Sequence, residues 1–367
     1  MELTKCKLGE LITQRREKND GSDLPICGVS KDGLIPPKQK DADTSIYNVF
    51  YRDDFIFNPA RMELNSIAIN DMYDRAICSS LYEVFYVHRT DLLLPHYLEL
   101  IIRQKWFTRY CKFLGQGSAR EYCRFGNISE IEIEFPPIEE QQKIVEYNTA
   151  IENRIALKQK INDNLEATAQ AYFDNLFFSC DDTDCTLADI ALVNPSRPLS
   201  KGVEARCFDM STLPTSGCIP TGDTTKPYNG GVRFINGDTL IARITPCLEN
   251  GKAAYINILN EGEVAFGSTE YIVFASKDDI PSCFYYFLIR NSKFVTFALQ
   301  FMNGSSGRQR VSGEELASFP LMIPSKEKLA AFNKVGKLVL EQMKEATEEI
   351  QFLKQLQETI TATLSSN

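Results

Sequence analysis

Two long stretches of the chain place apolar residues at helical spacing. Residues 138–178 contain no glycine or proline, and apolar residues recur there at intervals of mostly three or four. A second such run begins after Pro324 and continues to the C-terminus. This spacing puts the apolar residues on one face of each predicted helix. We expect the two faces to bury each other as an antiparallel coiled coil; the alternative is two unrelated amphipathic helices, each packed on its own domain.

The chain repeats itself at an offset of about 188 residues. Pro136 aligns with Pro324, and the glycine-rich segment that follows Phe113 aligns with the one that follows Phe301. Several weaker matches share the same order and nearly the same offset, which indicates an internal duplication. We therefore predict an α+β fold with two repeated mixed α/β domains, separated by two long helices forming an antiparallel coiled coil. The predicted segments are 1–135, 136–180, 184–323 and 324–367.

Composition narrows the class of protein. The 367 residues are 43% hydrophobic and 24% charged, as in ordinary globular proteins, and the formal net charge of −9 argues against non-specific coating of nucleic acid. No secretory signal or membrane span is recognisable, so we expect a cytoplasmic protein. The eleven cysteines form no CxxC pair, so we predict that their thiols are reduced. His88 and His96 are the two histidines that could join cysteines as zinc ligands, so we predict no metal site.

Motifs for catalysis are missing from the sequence. No GxGxxG follows a strand and no GxxxxGK[ST] phosphate loop is present, and any histidine-dependent site would need His88 or His96. We therefore interpret the chain as a binding protein without catalytic residues of its own.

The most distinctive polar cluster follows a glycine turn and a buried strand. Residues 234–254 contain the turn Asn236-Gly237, an apolar strand and then a polar loop. Arginine and lysine can contact guanine edges or phosphates, and asparagine can pair with adenine. We predict DNA contacts in this segment and in the corresponding first-half segment 54–69. The candidates are Arg243, Thr245, Asn250 and Lys252, and in the first half Asn58 and Arg61.

A second set of candidates lies in the repeated glycine- and serine-rich loops. Backbone amides of such loops suit phosphate oxygens, and both copies carry arginine. The alternative is a solvated loop at a helix exit. The candidates are Ser118, Arg120 and Arg124 in the first half and Ser306, Arg308 and Arg310 in the second.

These features together resemble the specificity subunit of type I restriction-modification systems. The resemblance depends on the duplicated layout, on Gly-Asp-Thr-Leu-Ile-Ala-Arg-Ile over 237–244, on Glu-Asn-Gly-Lys over 249–252, and on Pro-Pro-Ile-Glu-Glu-Gln-Gln over 136–142. The second long helix departs from the pattern, because it opens with Pro-Ser-Lys-Glu over 324–327.

The resemblance implies that each globular half is a target-recognition domain that reads one half of a split double-stranded DNA sequence. It implies that the helices set the spacer and dock two methyltransferase (M) subunits, and that restriction (R) motor-nuclease subunits join for cleavage. S-adenosylmethionine, ATP and Mg²⁺ are expected on those subunits, with no cofactor in this chain. We assign partner binding to residues of the apolar helix faces: Ile144, Ile151, Leu165, Tyr172, Val339, Ile350, Leu353 and Ile360.

Two other interpretations remain open at this point. An accessory subunit of a two-subunit restriction enzyme would have the same architecture and a different partner. A coiled-coil scaffold that binds only protein would give no sequence-specific DNA complex.

Overall fold

The structure, a computed structural model, describes residues 3–37, 43–115, 122–179, 183–305, 307–322 and 324–363. The chain divides into two compact units. One comprises residues 1–153 and 354–367, and the other comprises residues 154–353. Each unit contains one of the repeated halves and part of both long helices.

In the residues that the structure describes, the first half has ten short strands and three short α-helices. The strands are β1 (Thr4–Lys7), β2 (Ile12–Arg15), β3 (Ile26–Ser30), β4 (Gly33–Ile35), β5 (Asn48–Tyr51), β6 (Phe55–Phe57), β7 (Ile67–Ile69), β8 (Arg75–Cys78), β9 (Glu83–Val87) and β10 (Glu132–Phe135). The α-helices are α1 (Pro95–Ile102), α2 (Lys105–Gly115) and α3 (Phe125–Ser129). Two 3₁₀ helices, Leu8–Glu10 and Pro59–Leu64, complete it. The long helix α4 (Ile138–Phe177) follows.

The second half has the same number of strands in the described part of the chain. They are β11 (Cys185–Thr186), β12 (Ala191–Val193), β13 (Glu204–Phe208), β14 (Thr224–Pro227), β15 (Val232–Phe234), β16 (Thr239–Ala242), β17 (Ala253–Tyr255), β18 (Ala265–Gly267), β19 (Tyr271–Ser276) and β20 (Pro320–Leu321). The helices are α5 (Leu187–Ile190), α6 (Cys283–Arg290), α7 (Ser292–Gln300), α8 (Gly313–Ala317) and the long α9 (Lys326–Thr363).

The sheets of the two halves have identical strand orders. The first half has β1-β10, β2-β9-β6-β7 and β4-β3-β8-β5. Adding ten to each strand number gives the three sheets of the second half, β11-β20, β12-β19-β16-β17 and β14-β13-β18-β15. Even the parallel pairs correspond, since β3 runs parallel to β8 and β13 runs parallel to β18. The prediction of a duplicated α+β fold with two long helices is therefore confirmed.

Each half has an interrupted helical stretch before its glycine-rich segment. The sequence suggests one helix over 95–112 and one over 281–301, but each is two helices that meet at a buried amide residue. In the second half Asn291 caps α7, because its side chain accepts hydrogen bonds from the backbone amides of Lys293 and Phe294. Gln104 stands at the corresponding break and is 5% exposed. A polar residue inside an apolar run was the available signal.

Inside the second unit the two long helices pack antiparallel. The Lys158 ammonium lies 2.7 Å from a Glu349 carboxylate oxygen, and the Asn162 amide donates to Thr347 at 3.2 Å. Nearer the end of α4, the ring of Tyr172 contacts that of Phe332. As residue numbers rise along α4, the numbers of the contacted residues fall along α9, as expected for antiparallel helices. In the first unit, Gln357 donates to Asn148 and Glu152, each at 3.0 Å.

Each half has its own hydrophobic core. In the second unit the aromatic rings of Phe173, Phe284, Phe287 and Phe332 contact one another, so that both long helices contribute to the domain core. In the first unit the core lies between the β2-β9-β6-β7 sheet and helices α1 to α3. Among the described helices, none is long and apolar enough to cross a membrane.

Candidate nucleic-acid interface

A repeated turn fixes the strand that leads to the candidate site in each half. Phe55 pairs with Phe85 in the first half, and Thr239 pairs with Phe274 in the second, so the residues before β6 and β16 correspond. The turn residue Asp53 has φ +65° and its counterpart Gly237 has φ +92°. This left-handed conformation suits glycine and is tolerated by aspartate. The next residue is an aspartate in both halves.

That aspartate forms a buried ion pair in each half. Asp54 accepts two hydrogen bonds from the guanidinium of Arg15, at 2.6 and 3.0 Å, and one from the backbone amide of Tyr51. Asp238 accepts a hydrogen bond from the guanidinium of Arg197 at 2.7 Å and another from the backbone amide of Ile235. Burial raises the pKa of both carboxyls, while the arginines and amides oppose that rise. These pairs are part of the scaffold.

The two candidate segments of each half lie next to each other. In the second half the amide of Val311 donates to the carbonyl of Arg243 at 3.0 Å. In the first half the amide of Cys123 donates to the carbonyl of Pro59, also at 3.0 Å. Cys123 and Val311 are 188 residues apart, so the same hydrogen bond joins the same two segments twice. Sequence reasoning treated these segments separately, and folding brings them together.

In the first half the segment after β6 forms the 3₁₀ helix Pro59–Leu64. Asn58 caps it by accepting a hydrogen bond from the amide of Ala60 at 3.1 Å. Arg61 projects from this helix, is exposed, and has no hydrogen bond or ion pair to any described side chain. Arg124 is also exposed and lies 3.7 Å from Glu83. The guanidinium of Arg61 is therefore available to a ligand.

In the second half a short ladder holds the site together. Isolated bridges connect Arg310 to both Ile244 and Asn303. Arg243 is partly exposed, and its Nε is buried without a hydrogen-bond partner in the described chain. Arg308 and Asn250 are exposed. The exposed part of the Arg243 side chain and the exposed side chains of Arg308 and Asn250 can each offer hydrogen-bond donors to a ligand.

Three further predicted contacts also have partners inside the protein. Arg310 binds Glu270 with both Nε and Nη2, at 2.9 and 2.7 Å, which lowers the pKa of that carboxyl. The Lys252 ammonium donates to the carbonyl of Met210 at 2.6 Å. Thr245 is 9% exposed, and its hydroxyl accepts from the amide of Gln309. These three side chains hold neighbouring parts of the site in place through contacts within the protein.

Three other candidates lie outside the described residues: Ser118, Arg120 and Ser306.

Most of the residues assigned to partner binding are buried or pack on a domain core. Four of them are at most 8% exposed: Ile151, Val339, Ile350 and Leu353. Ile144 packs on the first-half core, and Leu165 and Tyr172 pack on the second-half core. Ile360 is half-buried. The regular apolar spacing therefore marks the internal faces of the helices.

Sequence reasoning missed the residues that orient the site. Asp54 and Asp238 could have been found, because an aspartate precedes a short, mostly apolar strand at the corresponding place in each half. Glu270 gives no such signal, since its partner Arg310 is forty residues away. Gln141 is buried, accepts from the amide of Leu94 and donates to the carbonyls of Leu92 and Pro136. It attaches the start of α4 to the first domain.

Comparison with known proteins agrees with this architecture. The sequence model described as "Type I restriction modification DNA specificity domain" matches residues 6–167 and 221–362. The type I restriction enzyme EcoEI specificity subunit of Escherichia coli is 28% identical over 200 residues, covering 50% of this chain and 32% of that protein. The EcoAI specificity subunit of Escherichia coli is 30% identical over 143 residues, 38% of this chain and 24% of that protein. The matched region thus spans a third or less of these relatives.

A solved structure shares the fold across the chain. It is the type I restriction-modification system S subunit from M. genitalium, with a TM-score of 0.62 and 14% sequence identity, covering 99% of this chain and 96% of that one. The likeness at this identity concerns the fold. The family model, in contrast, matches most of both repeated halves at the level of sequence. This chain therefore belongs to the type I restriction-modification DNA specificity domain family.

Proposed function

We propose that this chain is the DNA-recognition specificity subunit of a type I restriction-modification complex. Each half reads one part of a split duplex target, and the paired helices set the gap between the parts. M subunits dock on the chain, R subunits join for cleavage, and both act in the cytoplasm. Those partners hold S-adenosylmethionine, ATP and Mg²⁺, and this chain contributes recognition without catalysis.

One observation carries the proposal. The family match covers both halves, and at the corresponding segment each half presents an arginine that forms no ion pair with a carboxylate of the described residues: Arg61 in the first and Arg243 in the second. The charge of Arg243 still reaches the nearby carboxyls of Glu270 and Glu315 and helps to lower the pKa of each. Most other arginines of the first half are held by acidic side chains, including Arg15, Arg52, Arg75, Arg89 and Arg103. Guanidinium groups left free on repeated scaffolds suit recognition of guanine edges or phosphates.

The proposal is tested by mapping N6-methyladenine in host DNA with long reads, with the gene present, deleted and restored. We expect one split motif, two short specified blocks around a fixed gap, to vanish on deletion and return on complementation. A matched control restores the gene with both Arg61→Ala and Arg243→Ala, which should not restore that motif. Unchanged methylation in a host that expresses the companion methyltransferase would contradict the proposal.

A further inference from the structure

The first half contains a cleft of about 960 Å³ whose lining residues all belong to the first compact unit. Its walls are the β3–β4 hairpin, the 3₁₀ helix Pro59–Leu64 and the turn before β9. Among the described residues that line it, three are cations, namely Lys31, Arg61 and Arg124, and one is a carboxylate, that of Glu83. A chain with a net charge of −9 therefore concentrates positive charge here, which favours an anionic ligand.

Two leucines at this cleft are unusually exposed. Leu64 is 60% exposed and Leu81 is 80% exposed, and both belong to the lining. A single exposed leucine is ordinary on a protein surface. Two of them beside an unpaired guanidinium have a more specific meaning, because a surface that binds only phosphates gains nothing from apolar side chains. The major groove offers both partners: guanine acceptors for arginine and thymine methyl groups for apolar residues.

We propose that Leu64 and Leu81 are specificity-determining residues that contact thymine methyl groups in the half-site read by the first half. Arg61 lies beside them and contacts a purine edge or phosphate of the same half-site. This inference rests on the proposed function and adds the chemical feature by which one half-site is recognised. The proposed ligand of the cleft is therefore the base edges of duplex DNA. A docking site for another protein would also use exposed leucines, and the experiment separates the two.

The test begins with the motif obtained from the methylation map. The half-site that Arg61→Ala relaxes is taken as the one read by the first half. Duplexes are then prepared with thymine or with deoxyuridine in either half-site, so that only the methyl group changes. Binding is measured at fixed salt with the full chain in complex with its methyltransferase. Variants are Leu64→Ala, Leu81→Ala and their combination, with Leu338→Ala on α9 as an equally exposed control.

We expect deoxyuridine in the first half-site to weaken wild-type binding about fourfold per contacted methyl group, from the value of burying one such group. The double variant should bind the thymine duplex correspondingly more weakly and should no longer discriminate thymine from deoxyuridine. Leu338→Ala should retain the wild-type discrimination. Equal melting temperatures will show that the variants are folded.

Retention of full thymine discrimination by the double variant would overturn the inference, as would loss of methyltransferase from the complex with unchanged DNA discrimination. The second result would assign the leucines to a protein contact. Failure of the proposed function has a different signature, because a wild-type chain that yields no split motif provides no half-site to test.

Discussion

The two halves of this chain share a scaffold and differ in the segments that it presents. Strand order, the positive-φ turn, the buried aspartate–arginine pair and one long-range hydrogen bond all recur. Between β6 and β7 the first half has a capped 3₁₀ helix with Arg61 and Leu64, whereas between β16 and β17 the second has a turn with Arg243 and Asn250. A duplicated protein can thus keep its folding determinants and vary its ligand contacts independently, because the two lie on different elements.

The same comparison explains the departure at the start of the second long helix. Gln141 and Leu329 are 188 residues apart and occupy corresponding positions. Gln141 satisfies three backbone groups of the first domain, whereas Leu329 is 5% exposed and belongs to the apolar core of the second. One attachment is polar and the other is hydrophobic, so the helix openings differ in sequence while both helices are fixed to their domains.

The largest effect is expected at the repeated ion pair. Arg15→Ala and Arg197→Ala each leave a buried carboxylate unpaired and should lower the free energy of unfolding by about 3–5 kcal/mol. Urea denaturation will measure this, with Arg52→Ala as a control because its ion pair is exposed. If the ion pair has the same structural role in both halves, the two variants should lose similar amounts of unfolding free energy. A loss below about 1 kcal/mol in either half would break the equivalence.

A somewhat smaller loss is expected at the hydrophobic attachment. Leu329→Ala removes a buried side chain from the second core and should cost about 2–5 kcal/mol of stability. Leu338→Ala on the same helix is the matched control, since Leu338 is 59% exposed and should cost less than about 0.5 kcal/mol. Equal values for the two variants would show that α9 is not fixed to the domain through Leu329.

Loss of the polar attachment through Gln141 should lower stability less than loss of the hydrophobic one. Gln141→Ala leaves the amide of Leu94 and two carbonyls without their partner, for a cost of about 1–3 kcal/mol. Thermal and urea unfolding of this variant, beside the exposed control Gln142→Ala, will measure it. Gln141→Leu should not restore stability, because the backbone groups stay unpaired. Full rescue by leucine would mean that the two attachments work in the same way.

The smallest stability effects are expected at two neighbouring arginines. Arg310→Ala removes an ion pair with Glu270 in which both side chains are partly exposed to solvent, so we expect only a small loss of stability. Arg308→Ala should leave stability unchanged and weaken DNA binding by about 1–3 kcal/mol. Unfolding and DNA-binding measurements on both variants distinguish a residue that stabilises the site from one that contacts DNA. A reversed order, with Arg308 the more important for stability, would contradict the assignment.

The sequence was sufficient for the architecture and only partly sufficient for the site. An offset of 188 residues predicted the duplication, and unbroken apolar spacing predicted both long helices, because these signals are local and periodic. The pairing of Arg310 with Glu270 and of Lys252 with the Met210 carbonyl depends on strands distant in sequence meeting in the fold. The apolar spacing on the helices predicted burial, and the assignment of the same residues to partner contact stays a prediction, since the same pattern serves both.

The central claim, that each half reads its own part of a split target, is tested most directly by comparing two single variants. Methylated motifs are mapped from hosts that carry Arg61→Ala or Arg243→Ala with the companion methyltransferase. The account predicts that each variant relaxes one or more positions in one half of the motif, that the affected halves differ, and that the gap is unchanged. Relaxation of the same half by both variants, or a full-strength motif unaltered by either, would contradict it.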